Sequence, residues 1–288
     1  MGIFSDVLLT VDYDRTMTAP DSTIPEINIE AIRYFMENGG AFTINTGRSI
    51  PMTKVFRDKV PVNAPLLLYT GSAAYDPKDG TLSNVRKIHM DMWQTVEKLQ
   101  EMFPDLTVEV QGLDAHYNFI PNPLFDAFSL RQDCAYALAK PGQDLGPFLK
   151  FTLYGEFRDD TMAHMYEGST EEIARMDDAE SLLRRTFGDQ VAVFRAAPRI
   201  IDVQAAGVSK ARAARDLQQT LGKKILVCVG DGENDVSMLR AADYAFTPAD
   251  AVVSDRFPNV CNCAEGSVAD VIYRKIPEIL NLALDKRT

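Results

Sequence analysis

The sequence predicts an α/β fold, a doubly wound parallel-sheet (Rossmann-like) core with an inserted α+β cap domain. Three observations predict it. Short apolar runs alternate with helical patterns at both ends of the chain, those runs stop abruptly at polar residues, and the middle of the chain breaks the rhythm with prolines and shorter segments. At 288 residues the chain is long for one simple domain and short for three. The core is expected over residues 1–83 and 197–288, and the insert over 84–196.

In order, the apolar run Leu8–Val11 reads as a buried strand. Pro25 to Asn38 carries Ile29, Ile32, Phe35 and Met36 at helical spacing, and Gly39-Gly40 supplies the stop. Ala41–Thr46 is a second strand, Ile50 to Asp58 a helix, and Pro65–Tyr69 a third buried strand that breaks at Gly71. Strand and helix alternating at this spacing point to parallel pairing. The insert then offers a helix over Met90–Met102, strands at Leu106–Val110 and Phe148–Tyr154, a long polar helix over Ser169–Phe187 and a strand at Val191–Phe194. Arg199–Val203 returns to the style of the core. Ser209 is an N-cap for a helix faced by Ala211, Ala214, Leu217 and Leu221. Lys224–Val229 is the next strand, followed by a helix over Val236–Ala242, short strands at Ala245-Phe246 and Val260-Cys261, and a last helix from Ser267 to the C-terminus with a break before Pro277.

A net charge of −11 argues against a nucleic-acid backbone or an anionic membrane as partner. An anionic small substrate then needs local positive charge from a metal or a few basic side chains. The four cysteines, Cys134, Cys228, Cys261 and Cys263, form no CxxC pair and read as free thiols of a reducing cytosol. Neither a signal peptide nor an apolar stretch of the ~20 residues that span a bilayer is visible, so a cytoplasmic location is expected.

Asp12 and Asp14 stand two residues apart at the end of the first strand and leave it on the same side. Two like charges that close repel unless a cation separates them, and a hard divalent ion such as Mg²⁺ suits oxygen ligands. By itself the stretch also reads as a strand followed by an Asp-rich turn. Other polar strand ends decide between the two: Thr46, the loop leading to Lys210, and Asp231 with Asp235. In an open parallel sheet, ligands bind beyond the carboxyl ends of the strands, which gathers these scattered groups at one place. Two acidic pairs, a hydroxyl and a lysine suit a phosphoryl group held with Mg²⁺.

Asp12-x-Asp14-x-Thr16, Thr46-Gly47-Arg48, Gly207-Val208-Ser209-Lys210 and Gly230-Asp231-Gly232-Glu233-Asn234-Asp235 stand in the order of the four motifs of the haloacid dehalogenase-like hydrolases. The chain resembles that superfamily over nearly its whole length, and its insert looks like the large cap of the Cof-type subclass IIB phosphatases. The resemblance implies a Mg²⁺-dependent phosphatase in which Asp12 is the nucleophile, forming an aspartyl-phosphate, and Asp14 the general acid and then base. It makes Thr46 and Lys210 the remaining catalytic residues, and Asp12, the carbonyl of Asp14 and Asp231 the metal ligands, with Asp235 supporting that shell. Thr46, Gly47, Arg48, Lys210 and Asn234 would contact phosphate or substrate, Arg48 being as suited to a surface pair. The implied partner is a small phosphorylated metabolite, a sugar phosphate or phosphorylated cofactor before others, selected by the cap.

The chain departs from the family pattern in three places. Arg15 stands where Gly is usual, Thr70-Gly71 replaces Asn-Gly, and Ala245–Asp250 replaces a small-residue turn with Gly-Asn. These departures bear on the substrate rather than the reaction. His89, His116 and His164 lie in the insert and read as surface or packing residues, and Trp93 as part of the insert's core. Gly230-x-Gly232 superficially suggests a dinucleotide loop, but its acidic neighbours would repel a pyrophosphate and the third Gly is missing. The alternatives are a phosphomutase or phosphotransferase using the same aspartyl-phosphate, and a non-catalytic phospho-Asp switch similar to receiver domains. Asp14, placed where hydrolysis would be promoted, argues against the switch.

Overall fold

The computed structural model describes residues 2–131, 134, 136–161 and 163–281. In chain order the strands are β1 (Val7–Val11), β2 (Ala41–Ile44), β3 (Leu66–Leu68), β4 (Ala73–Tyr75), β5 (Leu82–Ser83), β6 (Thr107–Gly112), β7 (His116–Asn118), β8 (Tyr136–Leu138), β9 (Phe148–Tyr154), β10 (Val191–Ala197), β11 (Ile200–Ala205), β12 (Ile225–Val229), β13 (Tyr244–Pro248) and β14 (Asn259–Val260). The helices are α1 (Glu26–Glu37), α2 (Met92–Met102), α3 (Pro123–Arg131), α4 (Thr170–Phe187), α5 (Lys210–Thr220), α6 (Val236–Ala241), α7 (Ser267–Asp270) and α8 (Ile276–Ile279). Two compact units result: residues 2–46, 59–83 and 209–281, and residues 47–58 with 84–208.

The first unit is built on a parallel sheet in the order β14-β13-β12-β1-β2. All five residues of β1 are buried, so both faces of the sheet are covered. On one face Leu8, Leu226 and Cys228 pack with Ala214 and Leu217 of α5 and with Met238 and Leu239 of α6. Period-two alternation puts Thr10 and Asp12 on that same side, toward the helix that begins with Lys210.

Two elements differ from the sequence reading here. β3 is not a full parallel strand: a single bridge, Asn45 to Leu67, ties it to the sheet, and its own partner is antiparallel β4. The cause is the turn Tyr69–Gly71, where Tyr69, Thr70 and Gly71 all take positive φ and reverse the chain. The break expected before Pro277 is absent among the described residues. The helix widens into a π-helical turn over Val271–Lys275, which makes room for a ring that lacks an N–H, and then continues as α8. The rest of that expected helix, from residue 282 on, lies outside the described residues.

The second unit carries a six-stranded sheet in the order β10-β11-β9-β6-β7-β8, antiparallel except for the pair β7–β8. Val108, Val110, Phe151, Leu153, Ile201 and Val203 form its apolar face, against Val96, Leu99 and Phe103 of α2 and its C-cap and Met176, Leu183 and Phe187 of α4. The opposite face holds Glu109, Gln111, His116, Lys150, Thr152 and Asp202, and these too are buried. α4 opens on a capping box: Ser169 accepts from the Glu172 amide and Glu172 accepts from the Ser169 amide.

β11 corrects a third expectation. The segment read as a core strand pairs with β10 and β9 in this sheet. Its alternation of Ile201 and Val203 with Asp202 and Gln204 suits a sheet with one polar face, not a parallel strand buried between helices. Residues 50–58 form a short 3₁₀ turn, Pro51–Val55, rather than a helix. Trp93 is half-buried at the edge: its indole donates to the Gln143 carbonyl at 3.1 Å and its ring meets Phe119 edge-on. His89 is exposed, and His164 packs against Phe157 with Nδ1 3.1 Å from Asp159. His116 is neither a surface nor a simple packing residue but a member of the buried polar face. No helix of the described residues is long and apolar enough to cross a membrane.

Candidate active site

The end of β1 delivers Asp12, whose amide still donates to the Val229 carbonyl of β12 at 2.9 Å. The last ladder bond therefore fixes the backbone beneath the carboxylate. Lys210 enters from the first turn of α5, where Ser209 caps the helix by accepting from the Arg212 amide. The Asn45 side-chain amide donates to the Lys210 carbonyl at 3.0 Å and anchors that turn to the end of β2. The fully buried ammonium donates to Asp12 at 2.8 Å and to Asp235 at 2.6 Å.

Asp231 and Asp235 come from the loop after β12. Asp235 accepts the amides of Asp231 (3.1 Å) and Gly232 (3.0 Å), so this carboxylate organises the loop as well as the lysine. Asp231 accepts the Thr16 hydroxyl at 2.9 Å, and Thr16 is held in turn by Ser267, which donates to its carbonyl at 2.8 Å. One carboxylate oxygen from each of Asp12, Asp231 and Asp235 lies within 4.8 Å of the others.

Three buried carboxylates face one ammonium, and the protonation of the site reflects that imbalance. Burial first, then the charge of Asp235, raises the Asp12 carboxyl to about 7 against the pull of Lys210. Burial, then the charges of Asp235 and Asp12, hold Asp231 well above the usual carboxylate range. Burial works against the Lys210 ammonium, but Asp12 and Asp235 more than compensate and keep it charged. A buried, all-oxygen donor set with excess negative charge fits a hard divalent cation such as Mg²⁺.

Of the residues singled out from sequence, Asp12, Lys210, Asp231 and Asp235 come together directly. Asp14 follows half-buried. Thr46 is buried at the end of β2; its amide donates to Leu67 and its carbonyl accepts from Thr70. Asn234 is half-buried in the 3₁₀ turn Glu233–Asp235. Gly47 and Arg48 fall in the segment that groups with the second unit. Sequence reasoning gave no role to Thr16, Asn45 or Ser267. Thr16 carried a signal, its fixed place after the two aspartates, whereas Asn45 and Ser267 matter only through contacts distant in sequence.

The departures from the family pattern have local explanations. Arg15 takes φ 58°, the left-handed region that Gly enters most easily, and Thr70 takes φ 55°. Gly71 is costly to replace, since a Cβ there would meet the Ser209 carbonyl at 2.5 Å. In the third departure Asp250 accepts from the Cys263 amide at 3.0 Å and from its thiol at 3.2 Å, which closes the segment without Gly-Asn.

A profile described as haloacid dehalogenase-like hydrolase matches residues 9–254. An uncharacterized hydrolase of Schizosaccharomyces pombe is 22% identical, over 93% of this chain and 90% of that protein. A Plasmodium vivax structure described as a putative HAD/COF-like hydrolase has a TM-score of 0.75 at 19% identity, over 96% of this chain and 97% of that one. A Bacteroides thetaiotaomicron protein, described among phosphatases of that superfamily, gives 0.71 at 17% identity, over 96% of this chain and 95% of the other.

Proposed function

The chain belongs to the haloacid dehalogenase-like hydrolases, and from that premise we propose that it is a Mg²⁺-dependent phosphatase acting on a small phosphomonoester through an aspartyl-phosphate on Asp12. The observation that carries this reading is the meeting of Asp12 with Lys210, Asp231 and Asp235 at one buried point. Phosphoryl transfer depends mostly on positioning and charge neutralisation, and this arrangement offers both.

Asp12 attacks phosphorus with a carboxylate oxygen, and the bond to the leaving oxygen breaks. Lys210 holds Asp12 in place and sets positive charge against the phosphoryl oxygens. Asp14, half-buried and therefore reachable, donates a proton to the leaving group and then takes one from the water that attacks the acyl phosphate, returning Asp12 and releasing phosphate. Thr46 and Asn234 hydrogen-bond the phosphoryl oxygens. Asp12, the Asp14 carbonyl and Asp231 would hold Mg²⁺, with Asp235 supporting them. The ion supplies the charge that keeps Asp12 ionised and neutralises the transferred group.

The second unit supplies leaving-group selectivity in this reading, and a sugar phosphate or phosphorylated cofactor is the favoured class. The net charge of −11 supports a small metabolite over nucleic acid or membrane. The test is phosphate release over a panel of phosphorylated metabolites with and without Mg²⁺, together with acid-quench trapping of a labelled enzyme. Mg²⁺-dependent release and a label lost in Asp12→Asn are expected. Transfer of the phosphoryl group to a second metabolite without free phosphate would replace the phosphatase with a phosphotransferase.

A further inference from the structure

The segment 47–58 has little structure of its own, a single 3₁₀ turn, yet it is held at two points by the polar face of the second unit's sheet. His116 Nε2 lies 2.7 Å from Ser49 Oγ, and the Lys150 ammonium donates to the Gly47 carbonyl at 2.9 Å. Both anchors are braced from behind. The Nδ1 edge of His116 meets Glu109 at 2.8 Å, and Glu109 also accepts from Gln111 and from the Tyr154 hydroxyl. Burial would push the Glu109 carboxyl up, but His116 and Gln111 hold it below the usual range. Lys150 is paired with Asp202 at 3.1 Å, and Asp202 accepts from Thr152.

A buried carboxylate, imidazole and hydroxyl in line superficially suggest a nucleophilic triad. Ser49 is fully buried and its hydroxyl is spent on the imidazole, so no substrate reaches it. What the line does is fix a backbone. Gly47 and Ser49 are the two neighbours of Arg48, so the Cα of Arg48 is pinned from both sides by side chains of β7 and β9.

We propose that His116 and Lys150 are positioning residues for the phosphatase proposed above, fastening the segment 47–49 to the insert's sheet so that Arg48 reads the substrate as part of the insert. Arg48 then serves binding of the group beyond the phosphoryl oxygen, where a guanidinium carried on an anchored backbone offers bidentate pairing to a carboxylate, phosphate or vicinal hydroxyls. The inference rests on the phosphatase reading for the role of Arg48, but not for the clamp itself.

The test uses the full chain and three variants, Ser49→Ala, Arg48→Ala and the double variant, with p-nitrophenyl phosphate and hexose 6-phosphate as probes. Ser49→Ala is expected to speed amide exchange across 47–55, and to raise KM for hexose 6-phosphate by about tenfold, the size of one buried hydrogen bond. kcat on p-nitrophenyl phosphate stays within about twofold. In the Arg48→Ala background, Ser49→Ala adds nothing further, because both act through one guanidinium. Unchanged exchange overturns the clamp whatever the activity. Faster exchange with additive effects on KM overturns the role assigned to Arg48. A wild-type protein inert on every phosphomonoester overturns the phosphatase reading and takes this role with it, while the exchange result still decides the clamp.

Discussion

The Lys210 ammonium lies 2.8 Å from Asp12 although 198 positions of sequence separate the two. The same ammonium also pairs with Asp235, at 2.6 Å. Lys210→Met therefore leaves Asp12 and Asp235 buried without a counter-charge. A destabilisation of about 3–5 kcal/mol is expected, the usual result of orphaning a buried charge, with loss of phosphate release in the folded fraction. Urea midpoints and phosphate assays check it; a variant as stable and active as the parent would deny the lysine its place in the site.

Asp12→Asn is expected to abolish turnover, by at least about a thousandfold, while the fold remains. Its stability should depend on pH in a definite direction. The Asp12 carboxyl is raised to about 7 from its usual 3.8, so the folded protein retains a proton that the unfolded chain has lost. In the metal-free protein, stability from this group is full below the lower value and falls as pH rises through the upper one. Asn mimics the protonated form. Asp12→Asn should therefore match the parent near about pH 4 and exceed it near about pH 8 in thermal scans without divalent ions.

In the proposed function the same raised carboxyls would govern metal binding. Mg²⁺ must displace protons from Asp12 and Asp231, so the rise in melting temperature on adding Mg²⁺ should be larger near about pH 8 than near about pH 5. Equal shifts at the two pH values would place the ion away from these carboxylates.

Thr16→Val removes the hydroxyl that Asp231 accepts at 2.9 Å. Partners that orient a ligand commonly matter by ten- to a hundredfold, and a fall of about tenfold in Mg²⁺ affinity is expected by calorimetric titration, with Asp231 itself in place.

Left-handed backbone at Thr70 is strained for a β-branched residue. Thr70→Asn should stabilise the protein by about 1 kcal/mol, read as a higher denaturant midpoint at unchanged slope. Gly71→Ala should do the opposite, by about 2 kcal/mol or more, since its Cβ would meet the Ser209 carbonyl at 2.5 Å and disturb the cap of α5.

The parallel core and the four acidic and basic groups of the site were legible because each strand end announces itself locally: an apolar run stops at Asp12, at Thr46 or at Asp231. Direction of pairing was not legible at β3, where Leu66–Leu68 is apolar throughout and carries no alternation to report a second face. At β11 the alternation was present in Ile201, Asp202, Val203 and Gln204, and weighing it would have assigned the strand to a one-sided sheet. The π-helical turn before Pro277 and the contacts of Asn45 and Ser267 depend on neighbours that no local pattern encodes.

The grouping of 47–58 with 84–208 bears on anyone who would exchange specificities between relatives. Transplanting the long stretch alone would strand Lys150 and His116 without Gly47 and Ser49, and leave the recipient's own loop facing a foreign sheet. A working chimaera has to carry two fragments, with four splice junctions instead of two.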